Sequence, residues 1–416
     1  MKPYPRYKPT GLAWLPSVPE HWEVRKLRHI LSPVSEKNHA EKPLLSVVRE
    51  KGVILRDTEN KEENHNFIPD DLSNYKLVRE DQFAMNKMKA WQGSYGVSSY
   101  EGIVSPAYFV FDVHGVEKDF FHTAIRSAKY VAYFAQSSDG IRVGQWDLSI
   151  PRMKEIPFLI PPPSEQDRIV RYLDEKTAAI DELVRAKERQ IELLRERKQA
   201  LVSAAVTGGL DPATERKDSG VPWIGKIPKG WEVRRGKFLY RIVNGFPFPS
   251  EHFSVVKGYP LIRIRDITSG QCETFFDGDF VPEVAVVDGD LLVGMDGDFG
   301  VRLWQGGEAL LNQRCCMVKE FSSVSRQYLF YTLPLALKDI NDKAYATTVK
   351  HLSSPDLLHL SLPLPPLPEQ QRIVAHLDSV CSELDAAEAA IRKQIALLQE
   401  LRTRLVSDAV TGAVEV

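Results

Sequence analysis

Two stretches of the chain place apolar residues at alternating four- and three-residue steps. The first runs Leu173, Thr177, Ile180, Val184, Lys187, Ile191, Leu194, Lys198, Leu201, Ala205. The second runs Leu377, Cys381, Leu384, Glu388, Ile391, Ile395, Leu398, Arg402, Leu405, Ala409. A 3.5-residue apolar period is what two helices need to pack along their length, so the pattern predicts two long helices sharing a seam. Each would run about 40 residues, or roughly 60 Å at 1.5 Å per residue. Ser164 is placed to cap the first, with Asp167 three positions on, and Gly208 and Gly412 stand where the helices would stop. The charged positions Lys187, Lys198, Glu388 and Arg402 interrupt the seam. They either carry their heads to water at its ends, or set the helix register or face another subunit. Elsewhere apolar residues alternate with a period of two, as in "AYFVFDV" from Ala107 and "DLLVGM" from Asp290, among Gly- and Asn-rich turns. The fold class that follows is α/β (α+β), with mixed segments ahead of each long helix.

The same order of segments occurs twice. "GLAWLPSVPEHWEVRKL" from Gly11 is matched by "GVPWIGKIPKGWEVRRG" from Gly220, an offset of 209 residues that sets Trp14 on Trp223, Pro19 on Pro228 and Trp22 on Trp231. "EQDRIV" from Glu165 is matched by "EQQRIV" from Glu369, an offset of 204, and "LVSAAVTGG" from Leu201 by "LVSDAVTGA" from Leu405. A period of about 205 residues is far beyond that of a solenoid repeat, so the chain is two copies of one domain. The lead-in and the helix match, whereas the roughly 130 to 140 residues between them diverge.

Charge and chemistry change this picture only by exclusion. The 54 Lys and Arg balance 56 Asp and Glu, so an anionic partner would have to be held by local patches. Cys272, Cys315, Cys316 and Cys381 show no C-x-x-C spacing, which points to a reducing compartment without structural zinc. The start "MKPYPRYKPTGLAW" has no apolar signal region and no run reaches the roughly 18 apolar residues of a membrane helix, so the expectation is a soluble, cytoplasmic protein. "GVPWIGKI" from Gly220 imitates a Walker A loop, but Ile227 stands where Ser or Thr must reach magnesium and Pro228 blocks the helix. A Trp-anchored packing turn is the better reading there. Pro69-Asp70 opens no complete nuclease motif, and the ten histidines form no metal-ligand spacing. No catalytic residue and no metal site are assigned.

The divergent segments carry Lys, Arg, Gln and Asn beside Gly, Tyr and Trp in predicted loops. Examples are "NKMKAWQGSYGVSSYEGIVSPAYFVF" from Asn86, "VNGFPFPS" from Val243, "LIRIRDITSG" from Leu261, "GMDGDFGVRLWQGGEALLNQRCC" from Gly294 and "YATTVKHLSS" from Tyr345. Such side chains hydrogen-bond base edges and phosphates, although the same composition also describes an ordinary solvated surface.

With the paired "EQ.RIV" helices, the paired Trp-Pro-Trp lead-ins and the diverged segments in order, nearly the whole chain resembles the DNA-specificity subunit of type I restriction-modification systems. "GIVSPAYFVF" and "LLNQRCCMV" resemble stretches frequent in that family's recognition domains, while Ala346 departs from a frequent Gly. The resemblance implies target-recognition domain 1 over 1–163, a conserved helix over 164–210, target-recognition domain 2 over 211–368 and a second helix over 369–416. The helices would pair as an antiparallel coiled coil with pseudo-twofold symmetry, through Leu173, Ile180, Val184, Ile191, Leu194, Leu201, Leu377, Leu384, Ile391, Ile395, Leu398 and Leu405.

It also implies a non-catalytic subunit that reads an asymmetric bipartite site on double-stranded DNA and docks two methyltransferase and two restriction subunits. S-adenosylmethionine, ATP and Mg would sit on those partners, which methylate adenine N6 or cleave DNA. The DNA-reading candidates are Lys87, Lys89, Gln92, Ser94, Tyr95, Arg142 and Gln145 in the first domain. In the second they are Arg263, Arg265, Asp298, Arg302, Gln313, Arg314, Lys350 and His351. Arg and Lys suit phosphate or guanine and Gln suits adenine, while Tyr95 would stack on an unstacked base. Arg263 and Arg265 alternate on one predicted strand face, where a salt-bridged sheet surface is the rival reading. The competing functional class is a coiled-coil scaffold or adaptor without DNA specificity, and a third is a self-contained nuclease or methyltransferase.

Overall fold

A computed structural model describes residues 2–12, 14–57, 68–140, 146–280, 282–343 and 351–416. It divides into two compact units, one of Met1–Glu188 with Arg392–Val416 and one of Arg189–Ile391. Each long helix therefore contributes to both units.

The two units share a framework. In the first, a four-stranded antiparallel sheet has the order Leu31–Val34, Tyr108–Val113, Phe83–Asn86, Tyr95–Val97. In the second the order is Tyr240–Asn244, Cys315–Glu320, Leu291–Gly294, Val301–Leu303, again antiparallel throughout. A strand just after the lead-in tryptophan pairs with the strand just before the long helix in both: Glu23–Lys26 with Pro157–Ile160, and Glu232–Arg235 with Ser361–Leu364. What differs is inserted into this frame. The first unit adds the hairpin Leu45–Val48/Gly52–Leu55 and the pair Lys76–Val78/Gly102–Val104. The second adds a five-stranded sheet that includes the parallel pair Tyr259–Ile262/Ala309–Leu311. The matched sequence thus covers the lead-in and the long helix, whereas the diverged sequence folds into a sheet of common strand order together with insertions private to each unit.

The long helices run over Pro163–Gly208 (46 residues) and Leu367–Val410 (44 residues), longer than the spacing predicted. Pro163 supplies the first helical residue, so Ser164 lies inside the first turn and is not the cap. Proline has no N–H to leave unsatisfied there, which lets the helix begin earlier than a Ser cap would place it. In the first unit, Lys187 Nζ donates to Gln394 Oε1 (2.6 Å) and Arg402 Nε meets Asp181 Oδ1 (2.9 Å). In the second, Lys198 Nζ meets Asp385 Oδ1 (2.6 Å) and Arg195 Nη2 meets Glu388 Oε1 (2.7 Å). Rising numbers on one helix meet falling numbers on the other, so the pairing is antiparallel in each unit. The four charged seam positions are cross-helix ties that fix register. Every uncharged seam position is buried or half-buried.

Each unit closes around its lead-in tryptophan. Trp22 is fully buried with Leu405, Ala409 and Val410 from the end of the second helix, and Trp231 with Ala205 and Val206 from the end of the first. The "EQ" pair at each helix start holds this arrangement. Trp22 Nε1 donates to Glu165 Oε1 (3.1 Å) and Trp231 Nε1 to Glu369 Oε2 (3.0 Å). Gln166 accepts from the Glu117 N–H (2.8 Å) and donates to the Pro161 carbonyl (2.7 Å). Gln370 accepts from the Ser325 N–H (2.8 Å) and donates to the Pro365 carbonyl (2.9 Å). In both units the glutamine ties the helix start to the backbone just ahead of another helix, Lys118–Ile125 or Arg326–Lys343. The imitation Walker loop packs as a turn, with Ile224 and Ile227 in the core of the second unit.

Candidate nucleic-acid interface

In the first unit four candidates, Lys87, Lys89, Gln92 and Ser94, lie on the connection from the third to the fourth strand of the common sheet, whereas in the second only Asp298 does and most of the others lie on neighbouring segments. In the first unit that connection is a 3-10 turn over Lys87–Gln92. The Asn86 side chain opens it by accepting from the Met88 N–H (3.2 Å), and Gly93 closes it at φ 92°, a left-handed value a side chain would strain. Lys89 is exposed and Gln92 half-buried. Lys87 Nζ pairs with Asp147 Oδ2 at 2.8 Å. Trp91 packs on Trp146 with ring centres 5.0 Å apart, a second tie between the same segments.

Two expectations fail here. Ser94 is buried, and Tyr95 lies wholly in the core, its ring 4.3 Å from that of Phe134 and 5.7 Å from that of Phe83. Tyr95 stands on the fourth strand facing the helices, so it builds the domain and has no face left for a base. Burial pushes its hydroxyl pKa up, and that hydroxyl has no hydrogen-bond partner among the described residues. Arg142 and Gln145 lie outside the described residues.

In the second unit the corresponding connection is Met295–Gly300, between Leu291–Gly294 and Val301–Leu303. Gly297 (φ 71°) and Phe299 (φ 50°) are both left-handed, and Phe299 is buried as the anchor of the loop. Two other segments are tied to it by backbone, and the first of these holds a third. The Met295 N–H donates to the Arg314 carbonyl (3.0 Å), the Leu352 N–H to the Met295 carbonyl (2.7 Å), and the Gln313 N–H to the Phe246 carbonyl (3.0 Å). The Asn312 N–H also donates to the Ile262 carbonyl (3.1 Å), next to Arg263. Asp298, Gln313, Arg314, His351 and Arg263 are exposed on these joined segments.

The remaining candidates take other roles. Ile264–Ser269 is a helix, so Arg263 is its cap residue and the predicted strand face for Arg263 and Arg265 does not exist. The Asp266 carboxylate decides this by accepting the Arg263 N–H at 2.8 Å, which closes the first turn. Arg265 Nη2 donates to Thr274 Oγ1 (3.2 Å) and lies 3.4 Å from Glu273. Arg302 donates to the Ile267 and Thr268 carbonyls at the end of that helix, so it serves as a helix stop. Lys350 lies outside the described residues.

Sequence reasoning passed over several positioning groups. Asp296 binds both Arg314 (2.9 Å) and His351 (2.7 Å). In the first unit Arg126 reaches the carbonyls of Tyr95, Arg49 (2.9 Å) and Glu50 (2.8 Å), pinning the Leu45–Leu55 hairpin to the fourth strand. His122 Nδ1 accepts the Val97 N–H (3.1 Å), and burial holds its pKa below the usual histidine value. "DGDFG" signalled a turn, but nothing in one sequence pairs Asp296 with residues 18 and 55 positions away.

Comparison with known proteins places these features in a family setting. The family model "Type I restriction modification DNA specificity domain" matches residues 228–397. The Type I restriction enzyme EcoBI specificity subunit of Escherichia coli is 40% identical over 173 residues, 41% of this chain and 36% of that protein. The Type I restriction enzyme MjaVIII specificity subunit of Methanocaldococcus jannaschii is 24% identical over 280 residues, 63% of each chain. These matches span less than two thirds of either relative. A solved structure described as the structural basis of complex assembly and conformational transition of the type I R-M system has the same fold. It gives a TM-score of 0.72 at 16% identity, over 95% of this chain and 99% of that one.

Proposed function

We propose that this chain is a member of the type I restriction-modification DNA-specificity family and the non-catalytic DNA-reading subunit of such a complex, supported by the family-model match, the relatives and the shared fold. It recognises an asymmetric bipartite site in double-stranded DNA, one specified half-site for each domain, with an unspecified gap between them. Two methyltransferase subunits dock on it and methylate adenine N6, and two restriction subunits add ATP-dependent cleavage. S-adenosylmethionine, ATP and Mg are held by those partners, and the complex works in the cytoplasm.

One observation carries the reading: the two units keep the same four-strand order yet fill the same strand-to-strand connection with unrelated residues, Lys87–Gln92 in one and Met295–Gly300 in the other. A constant frame with a variable exposed connection is what two readers of different sequence on one scaffold require. The constant parts, the long helices and the "EQ" ties, suit identical partner subunits.

The test is DNA binding by the complex with its methyltransferase partner. Binding should select one sequence and weaken steeply with salt, as phosphate contacts release counterions. The chain without partners should transfer no methyl group. Methyl transfer by the isolated chain, or equal affinity for all duplexes, would reject the proposal.

A further inference from the structure

We propose that Asp296 is the positioning residue of the second domain's reading surface, holding Arg314 and His351 in the geometry that discriminates bases. The inference rests on the DNA-reading assignment above. Asp296 Oδ2 accepts from Arg314 Nη1 at 2.9 Å, and Oδ1 engages His351 Nδ1 at 2.7 Å. The Asp296 side chain is 18% exposed, whereas those of Arg314 and His351 are each 56% exposed. A sheltered carboxylate thus steadies two exposed groups that come from different segments. The other Arg314 N–H groups and His351 Nε2 make no further hydrogen bond among the described residues.

A free arginine gives up rotamer freedom when it engages a base edge. An arginine already held by a carboxylate loses less, and its planar fork arrives aligned for guanine O6 and N7. With Nδ1 turned to Asp296, His351 has Nε2 as its one remaining ring nitrogen, so its contact is directional. The backbone reinforces the clasp, because Asp296 and His351 form an antiparallel bridge and the Leu352 N–H donates to the Met295 carbonyl.

The first unit carries a similar clasp with the carboxylate on the other segment. Lys87, just past its third strand, pairs with Asp147, just ahead of the short helix Ile150–Lys154. Asp296 follows the third strand of the second unit, and His351 precedes the short helix Ser354–His359. Two diverged domains tie the same two segments at the same place with different chemistry, as expected of a device that aims side chains. A conserved structural staple would have kept its residues.

The experiment measures binding of the methyltransferase-bound complex to its cognate duplex and to duplexes changed at each specified base pair. Asp296→Ala should lower the preference about ten-fold at one or two positions, all within one half-site, leaving the other half-site's preferences unchanged. Asp296→Asn, whose carbonyl can still accept from one partner, should fall between. Adding Asp296→Ala to a variant already lacking both Arg314 and His351 side chains should change nothing further. Unchanged preferences, or an equal loss of affinity for every duplex, would overturn the inference and leave the DNA-reading assignment standing. A wild-type complex with no preference at all would overturn both.

Discussion

Glu165 and Glu369 occupy matched positions but carry unequal loads. Glu165 is buried and takes the Trp22 indole, the Tyr4 hydroxyl and His21 Nε2 (2.8 Å), while half-buried Glu369 takes the Trp231 indole. Stranding a buried donor costs about 1–3 kcal/mol. Glu165→Ala should therefore lower the melting temperature more than Glu369→Ala, and an equal effect would contradict this account of the motif. Tyr95 offers the opposite case, since its buried hydroxyl finds no partner among the described residues. Tyr95→Phe should raise stability by about 1 kcal/mol and leave DNA affinity unaltered, read by denaturant unfolding and by duplex titration. For His122, burial favours the neutral ring, so its folded pKa lies below the unfolded value. The unfolded state then binds more protons, and stability is complete above the unfolded histidine value of about 6.5 and declines as pH falls below it. Melting followed between pH 7 and 5 should show this decline, and His122→Gln should flatten it. Little of this was legible in the sequence. "QGSYGVSS" reads as an exposed glycine-rich loop because its composition is that of one, and only its position on the fourth strand buries Tyr95. Arg263 and Arg265 alternate like a strand, but the Asp266 carboxylate turns them into a helix start.

At the scale of elements the sequence was far more informative, because a 3.5-residue period over ten positions has few alternative explanations. The seam emerges residue for residue, and the charged positions resolve as cross-helix ties once the antiparallel partner is seen. The start of the first helix was missed because Pro163 at the first helical position does the work that a Ser cap suggests. Ile191 is buried and Leu193 is 49% exposed on the same helix. Ile191→Ala should cost about 2–4 kcal/mol and Leu193→Ala less than about 0.5, measured by chemical denaturation. Comparable costs would mean that the seam does not carry the pairing. The cross-helix ties lie at the seam's edge within reach of water, where screening weakens them, so they select register more than they stabilise.

At the scale of the whole molecule, each unit is completed by the end of the long helix that belongs to the other repeat. Ala205 and Val206 pack with Trp231 as Ala409 and Val410 pack with Trp22. A fragment ending at residue 210 retains the Trp22 site and carries an equivalent helix end. It should dimerise, each copy supplying Ala205 and Val206 to the other, and a strictly monomeric fragment by ultracentrifugation would contradict this. The duplication was readable because the lead-ins and the long helices preserve their sequence, whereas the common sheets share strand order without sequence and the private insertions, a hairpin in one unit and a five-stranded sheet in the other, left no common pattern to read. The central claim is that two domains on one frame read two different half-sites. It is tested most directly by coexpressing the chain with its methyltransferase partner in a host lacking adenine methylation and mapping N6-methyladenine by single-molecule sequencing. The account predicts a single bipartite motif with two unlike halves, methylated on both strands; a stable complex that leaves no motif, or one with only a single specified block, would contradict it.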